Sequence, residues 1–134
     1  MLRRAWASLL PWWGRLPIPD RLRWVVLWAM NQKFLIGVGA VVFDEQGRVL
    51  LFKHTYRQDY LWGLPGGWLQ RGEDPARAVE REVREETGLE VCITQPLLVE
   101  YGRKFPSLYV TFAGRCLGGA FRPSAEVSEA AFVS

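Results

Sequence analysis

The sequence of 134 residues predicts one α/β domain preceded by a short arm. Three observations predict this class. Two apolar, β-branched runs around a turn predict a β-hairpin over residues 37–53. Residues 75–87 have the start and stop signals of a helix. Two more extended runs follow at residues 91–101 and 108–117, so the one strong helix lies between strands.

The predicted hairpin consists of residues 38–43 and 49–52, which are mostly Val, Leu and Phe. Asp, Glu, Gln and Gly occupy the turn between them. Residues 53–62 then form an irregular loop that is aromatic and basic. The sequence Gly-Leu-Pro-Gly-Gly at residues 63–67 interrupts regular structure a second time before the helix.

The helix has a clear signal at each end. Asp74 suits the N-cap, Pro75 suits the first helical position, and Gly88 suits the residue after the last turn. Four residues share one narrow face of the helix, which we expect to pack on the core: Ala76, Val79, Val83 and Thr87.

Glu82, Glu85 and Glu86 lie beside that face, at positions i, i+3 and i+4. Like charges at these spacings repel each other by roughly 0.2–0.5 kcal/mol per pair on an exposed helix. Arg81 and Arg84 are predicted to point mainly to solvent, so a hard divalent cation with oxygen ligands is the favoured way to offset the repulsion. The alternative is an ordinary charged helix face, because Glu is a good helix former.

Residues 1–33 form a basic arm that is rich in tryptophan. The arm holds five of the seven Trp residues, and it has six basic side chains against one acidic side chain. The other 101 residues have 11 basic and 13 acidic side chains. A basic balance that would suggest nucleic acid or an anionic surface as partner therefore belongs to the arm alone, and no nucleic-acid partner is predicted for the body.

An amphipathic helix is predicted over residues 21–30 of the arm, with Asp20 as its cap. Its apolar face can pack on its own domain or on a partner subunit, which would allow a homodimer formed through the arm. The alternative is peripheral contact with a membrane surface, because Trp and Arg suit that interface.

Composition excludes several classes of protein. With 49% hydrophobic and 23% charged residues, the chain resembles neither a disordered nor a low-complexity sequence. No stretch is long and apolar enough to span a bilayer, and the N-terminus only faintly resembles a secretory signal. Cys92 and Cys116 lack a paired spacing, which predicts free thiols in the cytoplasm. His54 is the only histidine, so carboxylates must do most of any chemistry.

One segment, residues 67–89, resembles the Nudix box, the signature of the Nudix hydrolase superfamily. Every defining position is filled, with five residues between the first two and seven between the next two: Gly67, Glu73, Arg81, Glu82, Glu85, Glu86 and Gly88. The order of the strands around the box is also similar to the family, so that the resemblance covers about residues 36–133.

The resemblance implies an α/β/α sandwich built on a mixed sheet. It also implies an enzyme that uses Mg²⁺ or Mn²⁺ to hydrolyse the pyrophosphate of a nucleoside diphosphate linked to another group. We expect residues 34–134 to form this domain, without the C-terminal helix that usually completes it. Two alternatives stay open: a catalytically idle Nudix-fold module that binds nucleotides or regulates, and a docking protein that acts through its N-terminal arm.

The resemblance assigns roles to residues by position. Glu82, Glu85 and Glu86 would be metal ligands, together with the carbonyl of Gly66. Glu73 and Arg81 would pair to hold the loops of the box around the helix. Glu82 is one candidate for the general base, and Glu126 is a candidate for an additional ligand or base, with Glu129 and Glu100 behind it.

The substrate would be a nucleotide, bound by residues outside the box. Lys53, Tyr56 and Arg57 lie in a loop that can reach phosphates, and either Tyr60 or Trp62 can stack on a base. The alternative for Trp62 is that it packs under the loop.

Overall fold

A computed structural model of the protein describes residues 11–134. The chain divides into two compact units, Met1–Lys33 and Phe34–Ser134. The predicted arm also includes residues 1–10, which lie outside the described residues.

One helix of the first unit, α1, spans Asp20–Met30. Asp20 is the first helical residue, so the prediction that its side chain caps the helix is wrong; Pro19 is at the N-cap, and no side chain caps the helix. The Asp20 carboxylate instead lies in the first turn, where it is favoured by the helix dipole. None of the side chains of α1 is buried, and Trp24 and Trp28 are 72% and 65% exposed.

The second unit contains seven strands and one helix. In chain order they are β1 (Leu35–Phe43), β2 (Val49–His54), β3 (Trp62–Gly63), β4 (Gly66–Trp68), α2 (Pro75–Thr87), β5 (Leu89–Tyr101), β6 (Ser107–Gly119) and β7 (Val127–Val133). Both strands predicted after the helix are present. β5 begins two residues earlier than predicted, and β6 begins one residue earlier and ends two residues later. The last apolar run of the described chain forms β7.

All seven strands belong to one sheet. Its main path is β3-β2-β1-β6-β5, with β4 paired to β1 and β7 paired to β2. β1 and β6 are parallel and every other pair is antiparallel, so the predicted mixed sheet is confirmed.

The predicted hairpin of β1 and β2 pairs only at its closed end, where Phe43 lies opposite Val49. Beyond that point the two strands have different partners. β1 pairs with β4 between Gly37 and Gly39, and β2 pairs with β7 over most of its length. The separation places the short strand β4, which leads into the box, beside the middle of the sheet.

The core lies between one face of the sheet and α2. Alternate residues of β1 and β2 point into it, among them Val42 and Phe52, and α2 contributes Val79 and Val83; all four are fully buried. Burying a side chain of this size stabilises the fold by roughly 1.5–3 kcal/mol. This packing determines the rotation of α2 about its axis and therefore the direction of its carboxylates.

The ends of α2 are those that the sequence predicts. The side chain of Asp74 accepts hydrogen bonds from the backbone N–H groups of Ala76 and Arg77, at 3.0 and 3.2 Å. Gly88 ends the helix in the left-handed conformation, with φ of 74°. The buried face is wider than expected, because Ala78 and Glu86 are buried together with Val79, Val83 and Thr87.

Within residues 11–134, no helix is long and apolar enough to cross a membrane. Cys92 is exposed and Cys116 is half-buried, and both are free thiols.

Candidate functional site

A cavity of about 500 Å³ lies beside α2, at the mouth of the loop that leads into the box. Its size is within the range of small-molecule sites. It is lined by three carboxylates, two aromatic side chains and the start of the box: Glu82, Glu86, Glu126, Tyr56, Trp68, Gly66, Gly67, Leu69 and Gln70. A second cavity of about 510 Å³ lies near Asp44 and Arg115, but it contains no comparable group of carboxylates.

Two glycines allow β4 to lie close to both β1 and α2. A Cβ on Gly66 would be 2.7 Å from the Cα of Gly39 and would also collide with the carbonyl of Val38. A Cβ on Gly67 would be 2.5 Å from the carboxyl carbon of Glu82. At Gly66 the obstacles are backbone atoms, so only glycine permits this approach. At Gly67 a larger residue would displace the Glu82 carboxylate.

Arg81 connects three of the predicted carboxylates. Its guanidinium is 2.7 Å from Glu73, 2.9 Å from Glu82 and 3.0 Å from Glu85. The pair with Glu73 that the resemblance implies is therefore present. The prediction that Arg81 points mainly to solvent is wrong, since its side chain is only 21% exposed; the loop that carries Glu73 folds back over this side of α2.

The same arginine changes the acidity of its partners. Its hydrogen bond lowers the pKa of Glu73 below the usual value. Burial raises the pKa of Glu82, although the hydrogen bond from Arg81 opposes this change. Glu85 lies on the outer side of the helix with a side chain that is 61% exposed, and it does not line the cavity.

Glu86 is the most unusual carboxylate of the site. It is only 8% exposed, and one of its oxygens, Oε2, is buried without a hydrogen-bond partner among the described residues. Burial, followed by the charges of Glu82 and Glu126, raises its pKa to about 7. A buried carboxylate without a partner is costly, so this environment is suited to a bound cation.

The chemistry of this set of donors fits a hard divalent cation. Glu82, Glu86 and Glu126 all present oxygens to one cavity, beside the backbone of Gly66. Among residues 11–134, no three acidic, cysteine or histidine side chains already converge on one metal-binding point. Arg81 holds Glu82 and Glu85 in the present arrangement. Glu85 lies outside the cavity wall, so binding of one cation by all three glutamates of α2 requires Glu85 to turn toward the cavity.

The structure separates the three acidic candidates outside the helix. Glu126 lines the cavity, and its carboxyl lies beside that of Glu86. Glu129 instead pairs with Lys53 at 2.6 Å, between β7 and β2. Glu100 lies opposite Tyr109 in the sheet and is not part of the cavity wall.

The loop before β7 holds Glu126 in position through its backbone. The N–H of Thr55 donates to the carbonyl of Glu126 at 3.0 Å, and the hydroxyl of Thr55 donates to the carbonyl of Ala125 at 2.6 Å. The N–H of Glu126 donates to the hydroxyl of Ser124 at 3.2 Å. These bonds bring together two segments that are about seventy residues apart in the chain.

The structure places only some of the predicted substrate-binding residues at the cavity. Tyr56 lines the cavity, and the guanidinium of Arg57 lies 5.9 Å from the centre of the Tyr56 ring. Lys53 is engaged with Glu129 instead. Neither Tyr60 nor Trp62 lines the cavity.

Sequence reasoning missed two residues near the site. Trp68 lines the cavity directly after the glycine pair. His54 is 1% exposed, and both of its ring nitrogens lack a hydrogen-bond partner in the described part of the chain. Burial, and then the charge of Arg57, lowers the pKa of His54. The position of Trp68 beside the glycine pair was the only sequence signal for its role.

Comparisons with known proteins all point to one family. The NUDIX domain family matches residues 33–134. The human 8-oxo-dGDP phosphatase NUDT18 is 35% identical over 114 residues, which is 84% of this chain and 32% of that protein. The RNA pyrophosphohydrolase of Gluconacetobacter diazotrophicus is 34% identical over 95 residues, which is 63% of this chain and 54% of that protein.

A solved structure supports the same fold. The ADP-ribose pyrophosphatase from Streptococcus suis superposes with a TM-score of 0.64 at 30% identity, and the match covers 76% of this chain and 75% of that chain. The chain spans about a quarter to a half of the length of the first curated relatives. With the box, the mixed sheet and the match over residues 33–134, the chain belongs to the Nudix domain family, and the predicted α/β Nudix fold is confirmed.

Proposed function

We propose that this chain is a metal-dependent hydrolase that cleaves the pyrophosphate of a nucleoside diphosphate linked to another group. The observation that carries the proposal is the buried Glu86 carboxyl group, whose Oε2 has no hydrogen-bond partner among the described residues and which shares a cavity with Glu82 and Glu126. The names of its relatives include pyrophosphohydrolase, pyrophosphatase and phosphatase, which supports the reaction class. The reaction is attack of water at phosphorus.

Each residue has a defined task in this proposal. Glu82, Glu85, Glu86 and the carbonyl of Gly66 would hold Mg²⁺ or Mn²⁺. Such a cation neutralises the charge of the pyrophosphate and orients the attacking water. The pair of Glu73 and Arg81 holds the loop of the box against α2. Of the two candidates for the base, Glu126 is favoured over Glu82, because Glu82 already accepts a hydrogen bond from Arg81.

The direct test uses the purified chain with a panel of pyrophosphate compounds. The panel contains nucleoside triphosphates, ADP-ribose, dinucleoside polyphosphates, nucleotide sugars and capped RNA, each with Mg²⁺ or Mn²⁺ and with products identified. We expect turnover of at least one compound, and its loss on chelation. An active-site cavity that binds nucleotides but turns over no compound of the panel would instead support the idle binding module.

Glu126→Gln is expected to lower turnover by about 10²- to 10⁴-fold, the usual contribution of a positioned general base. Glu129→Gln is the matched control from the same region, because Glu129 only pairs with Lys53 outside the cavity. Turnover of both variants is measured at saturating Mg²⁺, and only Glu126→Gln should lose it. Equal losses in the two variants would contradict this assignment.

We also propose that the arm is an association surface for a second copy of the chain. Eight of the eleven residues of α1 are apolar, and they surround the helix on most sides. A helix that is apolar on most sides is usually buried in protein, yet Leu22, Trp24, Val25, Trp28 and Met30 are all more than half exposed. A second copy would cover this surface.

The double variant Trp24→Ser with Trp28→Ser should lower the molar mass in solution from dimer to monomer, because it removes the two largest exposed side chains of α1. Light scattering after gel filtration measures the molar mass, and turnover should persist. A monomeric parent protein that binds vesicles of phosphatidylserine and phosphatidylcholine would contradict the dimer and favour contact with a membrane.

The free thiols at Cys92 and Cys116 support a location in the reducing cytoplasm. Cell fractionation tests this location.

A further inference from the structure

The cavity lined by Glu82, Glu86 and Glu126 has two aromatic side chains on its wall, and each of them packs next to a second ring. Trp68 lies 6.3 Å from Phe105, measured between ring centres, and Tyr56 lies 5.4 Å from His54. Trp68 and Tyr56 are nevertheless 53% and 59% exposed. Large aromatic side chains that pack beside a second ring and stay half-exposed are suited to stacking on a planar ligand.

The support behind each ring comes from a different part of the fold. Trp68 pairs with Gly37 in the sheet, and its second ring, Phe105, comes from the turn between β5 and β6. Tyr56 lies two residues after the end of β2, and His54, whose ring lies next to it, is the last residue of β2 and is buried. Both aromatic side chains are therefore positioned by contacts within the protein.

The cavity wall combines acidic and aromatic side chains. The carboxylates of Glu82, Glu86 and Glu126 are suited to a cation with phosphates, whereas Trp68 and Tyr56 present aromatic rings. A ligand that carries both phosphates and a planar ring matches this wall. Nucleotides have this combination of features.

We propose that Trp68 and Tyr56 form a stacking site for the base of the substrate, and that Trp68 is a specificity-determining residue. The inference rests on the proposed function, because the phosphates of the same substrate would lie at the carboxylates. Stacking does not depend on the edge of the base, so the site accepts any nucleobase and favours purines, which have the larger ring surface. It discriminates against substrates that lack a base.

Binding of products to the full chain in the presence of Mg²⁺ tests the inference without turnover. The probes are AMP, CMP and ribose 5-phosphate, and calorimetry measures their Kd values. Trp68→Leu should weaken AMP by about 5- to 150-fold, which is the usual effect of losing one base stack. The Kd of ribose 5-phosphate should change by less than about twofold, and Trp68→Phe should recover most of the AMP affinity.

Tyr60→Leu is the matched control, because Tyr60 is 79% exposed and lies outside the cavity wall. It should leave all three Kd values unchanged. Equal weakening of AMP and ribose 5-phosphate by Trp68→Leu, or no weakening of either, would overturn the stacking site. Failure of the proposed function appears separately, as a parent protein that binds AMP in this pattern but hydrolyses no pyrophosphate.

Discussion

Glu86→Gln is expected to lower metal-dependent turnover by about 100- to 1000-fold while the protein stays folded. The buried Glu86 carboxylate is the donor that most needs a cation, and its neutral amide would hold a cation weakly. A loss of this size corresponds to several kcal/mol of transition-state stabilisation. Release of phosphate is measured over a range of Mg²⁺ concentrations, and Glu82→Gln should reduce turnover in the same direction.

Glu90→Gln is the control for turnover, since Glu90 is exposed at the start of β5 and outside the cavity. It should retain the parent activity. Parent activity in both Glu86→Gln and Glu82→Gln would rule out the proposed site.

The same Glu86 variant should change how stability depends on pH without metal. The folded pKa of Glu86 is about 7, above its usual value of 4.5. Between these values the folded protein binds more protons than the unfolded chain, so the free energy of unfolding falls as pH rises. The stabilisation that Glu86 contributes through its raised pKa is complete below pH 4.5 and is lost as pH rises through 7. The free energy of unfolding should fall by about 1–3 kcal/mol over this range.

Urea unfolding at pH 5 and pH 8, with a chelator present, measures this change. The decrease in stability toward pH 8 should be smaller in Glu86→Gln, which has no proton to lose at this position. Mg²⁺ should stabilise the parent protein at pH 8, where the carboxylates are charged. An identical pH dependence in parent and variant would show that Glu86 titrates normally.

Arg81→Met is expected to destabilise the fold by about 2–4 kcal/mol, because it leaves three carboxylates without their shared cation. The side chains of Arg81 and Glu73 are only 21% and 17% exposed, and the pair closes at 2.7 Å. Urea unfolding without metal gives the loss. Added Mg²⁺ should restore part of it, since a cation can take over the charge of Glu82.

Arg77→Met is the matched control on the same helix. Arg77 also pairs with a glutamate at 2.7 Å, but its side chain is 76% exposed. Exposed pairs of this kind contribute about 0–1 kcal/mol, so the two variants should differ clearly. In a double-mutant cycle that combines Arg81→Met with Glu73→Gln, the two losses of stability should not be additive. Additive effects, or equal losses in Arg81→Met and Arg77→Met, would contradict the central role of Arg81.

Much of the site was predictable because its signals are local. The caps of α2 depend on Asp74, Pro75 and Gly88, which act within one turn of the helix. The spacing of Glu82 and Glu86 then follows from helix geometry. These features need only the neighbouring residues in the chain, which explains why the box and its helix were predictable without the structure.

Other features depend on contacts between distant segments. Arg81 and Arg84 lie three residues apart on the same helix, and the loop that carries Glu73 covers Arg81 but leaves Arg84 exposed. Glu126 and Glu129 lie three residues apart near the start of β7, and the pairing of β7 with β2 assigns one to the cavity and the other to Lys53. Sequence pattern does not specify such registers.

The family, the α/β class, the helix of the box and the separation of a basic arm from a slightly acidic body all follow from the sequence, because each of these depends on composition or short-range spacing. Only the tertiary structure decided which carboxylates share a cavity and which aromatic side chains reach it. Packing of α2 on the sheet turns Glu86 inward and Glu85 outward, and close approach of β4 to β1 through Gly66 brings Trp68 to the same cavity.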